Sequence, residues 1–223
     1  MHLRAAQLER PLPEKNHDRL VMATEHGRFA VFDGASNAEA STLAAEVFEA
    51  QLSYDNPCSS PLTSVFTLIQ RSLLERFGGR HLTTGTAIDI QRSGDSNGTA
   101  TLNFAHAGDS SLYLFDRQAF SLTKLTRDEA PILPNGAVDA RNFLGASLHT
   151  LQQYGDLILP RCATLALFSD GIGDSAPREG GVSEETLAEI LSADEPCRQK
   201  ARKILDASQI IDDASIIVVE YCA

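Results

Sequence analysis

Six aspartates fall at or near the ends of apolar runs. Asp18 lies in KNHDRL, Asp33 ends RFAVFD, and Asp109 sits in the turn of FAHAGDSSLYLF. Asp170 ends TLALFSD, Asp174 follows it in SDGIGD, and Asp212 precedes ASIIVVEY. Glycine adjoins three of them, as Asp33-Gly34, Gly108-Asp109 and Asp170-Gly171. A lone Asp-Gly is ordinary turn chemistry. The same pairing repeated behind several apolar strands is a different signal, because gathered carboxylates repel one another unless cations neutralise them. Magnesium and manganese take hard oxygen ligands in near-octahedral geometry and keep some of their waters. A site for two such ions needs carboxylates from several strands. Glycine beside a ligand lets the backbone approach and leaves a carbonyl free to coordinate.

The elements that must position these acids follow from periodicity. Residues 28–32 read as a strand entering the core, and 38–52 carry apolar residues at helical spacing, with Ser36 or Asn37 placed to cap them. Residues 53–61 are dense in turn formers. A second amphipathic helix spans 62–77 and stops at Gly78-Gly79. Strand-like runs then alternate with short turns through TTGTAIDIQ, GTATLNFAHAG, SSLYLFD and FSLTKLT. An irregular stretch, 127–147, predicts a loop and a short helix near Ala140. DLILP and ATLALFSDG are strands, 183–191 and 196–207 are helices with Ser183 as a cap, and ASIIVVEY closes the chain as a strand. Helices segregated from a run of antiparallel strands indicate an α+β fold built in layers.

The 223 residues suit one domain, 1–223, and 43% hydrophobic residues supply a large core. A net charge of −11 argues against general binding to nucleic acid or anionic membrane. Cys58, Cys162, Cys197 and Cys222 contain no Cys-x-x-Cys pair, and their scatter fits reduced thiols. The first fifteen residues hold no secretory apolar segment, and no apolar run approaches the ~20 residues of a membrane helix. A cytoplasmic protein is the expectation.

The ordered set NHD, VFDGASNAEAS, TGTA, AHAGDSSLYLF, LFSDGIGD and DDASIIVVEY resembles the metal-dependent protein phosphatases of the protein phosphatase 2C type, over nearly the whole chain from about residue 16 to 221. The compact length is similar to that of bacterial members. The resemblance implies a four-layer αββα sandwich, two packed antiparallel sheets flanked by helices, with a metal centre at one end. It implies that Asp33 bridges two Mn²⁺ or Mg²⁺ ions and that Gly34 gives a backbone carbonyl to one. Asp170 and Asp212 would complete the first metal, and Asp18 would face the second mostly through water. Asp109 and Asp174, with Asp170, would hold a weaker third ion. Asp33, Asp170 and Asp212 are then the catalytic carboxylates. The implied reaction is hydrolysis of phosphoserine or phosphothreonine in a protein, the target of a Ser/Thr kinase, by a metal-bridging hydroxide attacking phosphorus in line with no phosphoenzyme. A monomer is expected, acting in signalling.

The chain also departs from that pattern. Pro13 stands where many members carry a phosphate-gripping arginine; Arg10, Lys15 and Arg19 are nearby and Arg141 is further off, none assigned to substrate. Ala35 follows the Asp-Gly pair where some members have histidine as an acid. Ser111 replaces a structural arginine. Asp116 reads as a hairpin-turn residue, Asp213 as a structural neighbour of the site, His106 as a hydrogen-bonded core histidine and Thr86 as a supporting strand residue. Two other functions compete: an inactive partner-binding regulatory module, and a phosphatase of small phosphate esters. Specificity is expected in the loops 128–144 and 175–182.

Overall fold

The computed structural model describes residues 2–11, 16–35, 37–52, 60–92, 99–129, 139–172, 181–208 and 213–223. Asp174, Asp212, Pro13, Lys15, Ser36 and Cys58, and parts of both expected specificity loops, lie outside them.

Two antiparallel sheets form the centre. One has the order β1-β11-β10-β7-β8, from β1 (His2–Arg10), β7 (Ser111–Asp116), β8 (Ser121–Lys124), β10 (Cys162–Phe168) and β11 (Ala214–Cys222). The other runs β2-β3-β5-β6-β9, from β2 (Asp18–Ala23), β3 (Arg28–Ala35), β5 (Gly85–Arg92), β6 (Ala100–Ala107) and β9 (Gln153–Ile158), with the short β4 (Leu82–Thr83) paired to β3. Period-two alternation gives each central strand two apolar faces. Phe29, Val31, Ile88 and Leu102 of one sheet meet Leu112, Leu165, Leu167, Ile217 and Val219 of the other.

The outer faces take the helices. In α1 (Glu39–Ala50), Ala40, Ala44 and Phe48 repeat at helical spacing; in α2 (Leu62–Phe77), Leu62, Val65, Phe66, Ile69 and Leu73 do the same. Both stripes bury on Ala30, Phe32, Ala87 and Ala105. On the opposite side, Leu187, Ile190 and Leu191 of α3 (Glu184–Ser192) and Ala201, Ile204 and Leu205 of α4 (Cys197–Ala207) cover Ala166, Phe168, Ile216 and Val218. The order is helices, sheet, sheet, helices, which is the expected αββα sandwich.

Several boundaries differ from expectation. Two strands, β1 and β2, precede the first one read from sequence, and β1 forms because β11 offers it a continuous ladder from His2↔Cys222 to Arg10↔Ala214. Strand β3 does not stop at Asp33: Gly34 and Ala35 continue it against Thr83 and Leu82. The residue at the N-terminal boundary of α1 is Ala38, and the side chain that caps from outside is Asn37, whose Oδ1 accepts the Glu39 N–H at 3.0 Å. The helix near Ala140 is a single 3₁₀ turn, Ala140–Asn142. Ser183 caps α3 as expected, accepting the Thr186 N–H at 3.2 Å. Asp116 is the turn residue it was read as, with Oδ1 accepting from the N–H groups of Gln118 and Ala119.

Candidate metal centre

The strand ends at one edge of the sandwich bring the acids together. Asp18 opens β2 and Asp33 lies near the end of β3, and the two are direct cross-strand partners. Asp109 sits in the turn that carries the chain from β6 of one sheet to β7 of the other. Asp170 follows β10, and Asp213 precedes β11.

Electrostatics report how closely they crowd. Burial, then the charges of Asp18, Asp170 and Asp109, pushes the Asp33 carboxyl well above the usual carboxylate range. Asp18 is fully buried. Its burial outweighs the hydrogen bonds it receives and raises its carboxyl to about 6, with the Asp213 charge adding to the rise. Oδ2 of Asp18 accepts the Ser169 hydroxyl at 2.9 Å. Its other oxygen, Oδ1, is buried and has no hydrogen-bond partner. An unpaired buried carboxylate oxygen facing further carboxylates is the environment a hard cation relieves. Among the described residues, no group of three or more His, Cys, Asp or Glu side chains stands in an arrangement that could hold a metal ion; Asp174 and Asp212 lie outside that set.

The backbone around Asp33 is tightly held. Its carbonyl accepts both the Thr84 N–H at 2.8 Å and the Thr83 hydroxyl at 2.6 Å. Gly34 N–H donates to the His17 carbonyl at 3.2 Å. A Cβ on Gly34 would come within 2.2 Å of the Asn37 carbonyl oxygen and 2.9 Å of that of His17, so no side chain fits here. Glycine at 171 has a similar reason: a Cβ there would meet the Asp213 carbonyl oxygen at 2.1 Å.

Asp213 supports the site structurally, as expected. Its Oδ2 accepts the His17 N–H at 2.8 Å and so fixes the loop that delivers Asp18. Sequence reading missed Ser169. This buried hydroxyl accepts the Ser215 N–H at 3.0 Å and donates to Asp18, linking the two sheets at the site. The only sequence signal was its place inside LFSDG. Thr84 and Ser110, whose hydroxyls bond at 2.7 Å, were missed too; they tie the Asp109 turn to the residue that holds Asp33.

His106 is a core histidine, fully buried. Nδ1 pairs with the Thr86 hydroxyl at 2.8 Å, and Nε2 faces the carbonyls of Gly108 at 3.1 Å and Arg127 at 3.0 Å. Carbonyls only accept, so the proton is on Nε2 and Thr86 donates to Nδ1. Burial holds the imidazole neutral, lowering its pKa to about 4. Thr86 therefore supports the site through His106, which anchors the Gly108 carbonyl beside Asp109.

Among the described residues, the three arginines weighed for the role lost at Pro13 are engaged elsewhere. Arg10 pairs with Asp206 of α4 at 2.5 Å, Arg19 bonds the Thr42 hydroxyl and the Asn16 and Asp18 carbonyls, and Arg141 pairs with Asp139. Ser111 is buried at the start of β7, opposite Phe168.

Residues 33–221 match the family model of stage II sporulation protein E (SpoIIE). The chain belongs to the SpoIIE family. That assignment bears out the protein phosphatase 2C-like resemblance. No curated protein sequence matches the chain. The SpoIIE-family fold seen here is shared with solved metal-dependent Ser/Thr phosphatases. The catalytic domain of the serine/threonine protein phosphatase PstP, solved with two manganese ions, superposes with a TM-score of 0.76 at 20% identity over 99% of each chain. The PPM Ser-Thr phosphatase MsPP from Mycobacterium smegmatis, in complex with cacodylate, gives 0.75 at 18% identity, covering 100% of this chain and 99% of that one. PppA, a key regulatory component of the T6SS in Pseudomonas aeruginosa, gives 0.75 at 18% identity over 98% and 97%. At these identities the likeness establishes the fold. None of the described helices is long and apolar enough to cross a membrane.

Proposed function

We propose that this SpoIIE-family chain is a Mn²⁺- or Mg²⁺-dependent phosphatase of phosphoserine or phosphothreonine in proteins. The observation that carries the reading is the unpaired, buried Oδ1 of Asp18 in a cluster where Asp33 is crowded by Asp18, Asp109 and Asp170. Asp33, Asp170, Asp212 and the Gly34 carbonyl are the proposed ligands of a first pair of ions, with Asp18 facing the second, and Asp109, Asp170 and Asp174 are those of a third. Cations held there activate water and neutralise charge on the phosphoryl oxygens.

The chain's own residues prepare that site. Ser169 and Asp213 orient Asp18 and its loop, Thr83 and Thr84 fix Asp33, and Gly34 keeps the backbone close. Ala35 has no titratable group, so the residue after the Asp-Gly pair cannot protonate the leaving serine or threonine oxygen. With Arg10, Arg19 and Arg141 engaged by other groups, phosphate charge falls mainly to the cations.

The test is Mn²⁺-dependent hydrolysis of an aryl phosphate and of a phosphopeptide panel, with Asp33→Asn and Asp170→Asn beside wild type. A loss of roughly 10²-fold or more in both variants is expected, as for removal of a group that stabilises the transition state. Unchanged activity in both would overturn the site. Tight Mn²⁺ binding by wild type with no turnover would favour the regulatory reading, which the engaged arginines motivate. Preference for small phosphate esters over every phosphopeptide would favour the metabolite reading.

A further inference from the structure

Cys162 opens β10 and Cys222 ends β11, and the two are direct partners in the antiparallel ladder. The type of pair follows from the hydrogen bonds at the two ends of that ladder. Ser169 N–H donates to the Ser215 carbonyl at 3.1 Å, and Ala223 N–H donates to the Arg161 carbonyl at 2.8 Å. Hydrogen-bonded pairs in an antiparallel ladder recur at every second residue. Odd-numbered positions of β10 therefore face their partners as hydrogen-bonded pairs, and Cys162 with Cys222 is a non-hydrogen-bonded pair. In such pairs the Cα atoms stand about 4.5 Å apart and the side chains lie on the same face, at their closest. That separation falls in the disulfide range of about 4.4–6.8 Å.

The side chains are in mutual reach. Burial and then the Cys162 thiol beside it raise the Cys222 pKa. Both residues are free thiols and half-exposed, so a small reagent can approach them. Cys197 is a poor competitor: it is buried, and its Sγ faces the Arg4 carbonyl at 3.6 Å.

We propose that Cys162 and Cys222 are an oxidation site, closing a cross-strand disulfide that staples β11 to β10 at the end of the sheet remote from the acidic cluster. The oxidant is a low-molecular-weight disulfide of the glutathione class, RSSR. One cysteine thiolate attacks RSSR, forming a mixed disulfide and releasing RS⁻. The second cysteine loses its proton and attacks the protein-bound sulfur, releasing the other RS⁻. The two protein thiols lose two electrons and two protons, and RSSR becomes two RSH. Because the attacking species is the thiolate, the reaction accelerates with rising pH.

The consequence is stability rather than rearrangement of the acids. Strand β11 sits between β1 and β10, so it ties the sheet together. Its opposite end leads into Asp213, and the opposite end of β10 leads into Ser169 and Asp170. A link at residues 162 and 222 closes a long loop, which constrains the unfolded chain strongly.

The experiment incubates the purified chain with oxidised glutathione at mildly alkaline pH, then measures free thiols, non-reducing peptide maps and Tm, beside Cys162→Ser, Cys222→Ser and Cys197→Ser. Wild type and Cys197→Ser are expected to lose two thiols, yield the 162–222 linked peptide, and gain several degrees up to ~10 °C in Tm. Dithiothreitol should reverse all three changes. Cys162→Ser and Cys222→Ser should show no such gain. A link from either residue to Cys58 or Cys197, stable glutathione adducts without a link, or an unchanged Tm in the linked protein would each overturn the proposal.

Discussion

Replacing His106 with glutamine tests whether the turn that carries Asp109 rests on a neutral, buried imidazole. In the folded protein the pKa of His106 is lowered from 6.5 to about 4, first by burial. A depressed folded pKa means that the unfolded chain takes up the proton first. The contribution to stability is therefore complete above pH 6.5 and is lost as pH falls toward 4. A gap of about 2.5 pH units at ~1.36 kcal/mol each bounds the loss at about 3 kcal/mol, and at about pH 4.5 roughly 2.5 kcal/mol of it has gone. Glutamine does not titrate here, and its amide can still donate to one of the two carbonyls that Nε2 serves. At about pH 7.5 His106→Gln should cost ~1–2 kcal/mol for imperfect hydrogen bonds. As acid is added, wild type should lose its advantage and the two curves should meet or cross by about pH 4.5. Urea unfolding in EDTA at the two pH values measures this directly. Other acids titrate in both proteins and cancel in the difference. A wild-type advantage that stays constant from pH 7.5 to 4.5 would refute the assignment of a neutral, Nε2-protonated His106.

Asp18→Asn should stabilise the metal-free protein near neutral pH. A folded pKa raised from 3.8 to about 6 gives stability that is full below 3.8 and lost as pH rises through 6, and removing the charge recovers part of up to ~3 kcal/mol. Calorimetry in EDTA should show a higher Tm for the variant, and added Mn²⁺ should raise wild type more than the variant. A lower Tm in EDTA would contradict a buried carboxylate whose Oδ1 is unpaired. Gly34→Ala must push a Cβ into carbonyl oxygens at 2.2 and 2.9 Å. It should destabilise by ~2 kcal/mol or more and reduce Mn²⁺-dependent hydrolysis, read by denaturant melts and phosphatase assay together. Lys200 is fully buried and its Nζ lies 2.5 Å from Glu220. Lys200→Met alone should cost ~3 kcal/mol by leaving that carboxylate without its partner, whereas the double variant with Glu220→Met should recover most of the loss in urea melts.

The layers of the fold were legible because its helices carry clean periodic stripes. The 62–77 helix emerged at its true bounds, with Gly78 in the left-handed conformation at φ 60° ending it. The strands β1 and β2 were not legible. HLRAAQLER breaks its polar–apolar alternation at Ala5-Ala6, and exposed and half-buried residues alternate on either side of that break. It is a strand because β11 supplies nine consecutive partners, a tertiary cause that no local window contains. The end of β3 was misplaced for a related reason. Asp-Gly ordinarily breaks a strand, yet here β4 pairs with Gly34 and Ala35 and carries the ladder past the acid.

Asp18, Asp33, Asp109 and Asp170, which lie together at one edge, could be picked out because their signal is repeated along the chain, whereas the residues that hold them act across it. Asp18 and Asp33 belong to one sheet, and Asp170 and Asp213 to the other. A backbone ladder fixes register within a sheet but says nothing about how two sheets slide on each other. Apolar contact between the sheets is non-directional. Hydrogen bonds such as Ser169 to Asp18, and the His17 N–H to Asp213, add direction at the edge where the acids meet. A serine that does this has no pattern of its own, since its role exists only once β10 and β11 face β2. The Cys162–Cys222 pair is the same case at the other end of the ladder. Two thiols far apart in sequence become neighbours through a register that is set by every residue between them and the site.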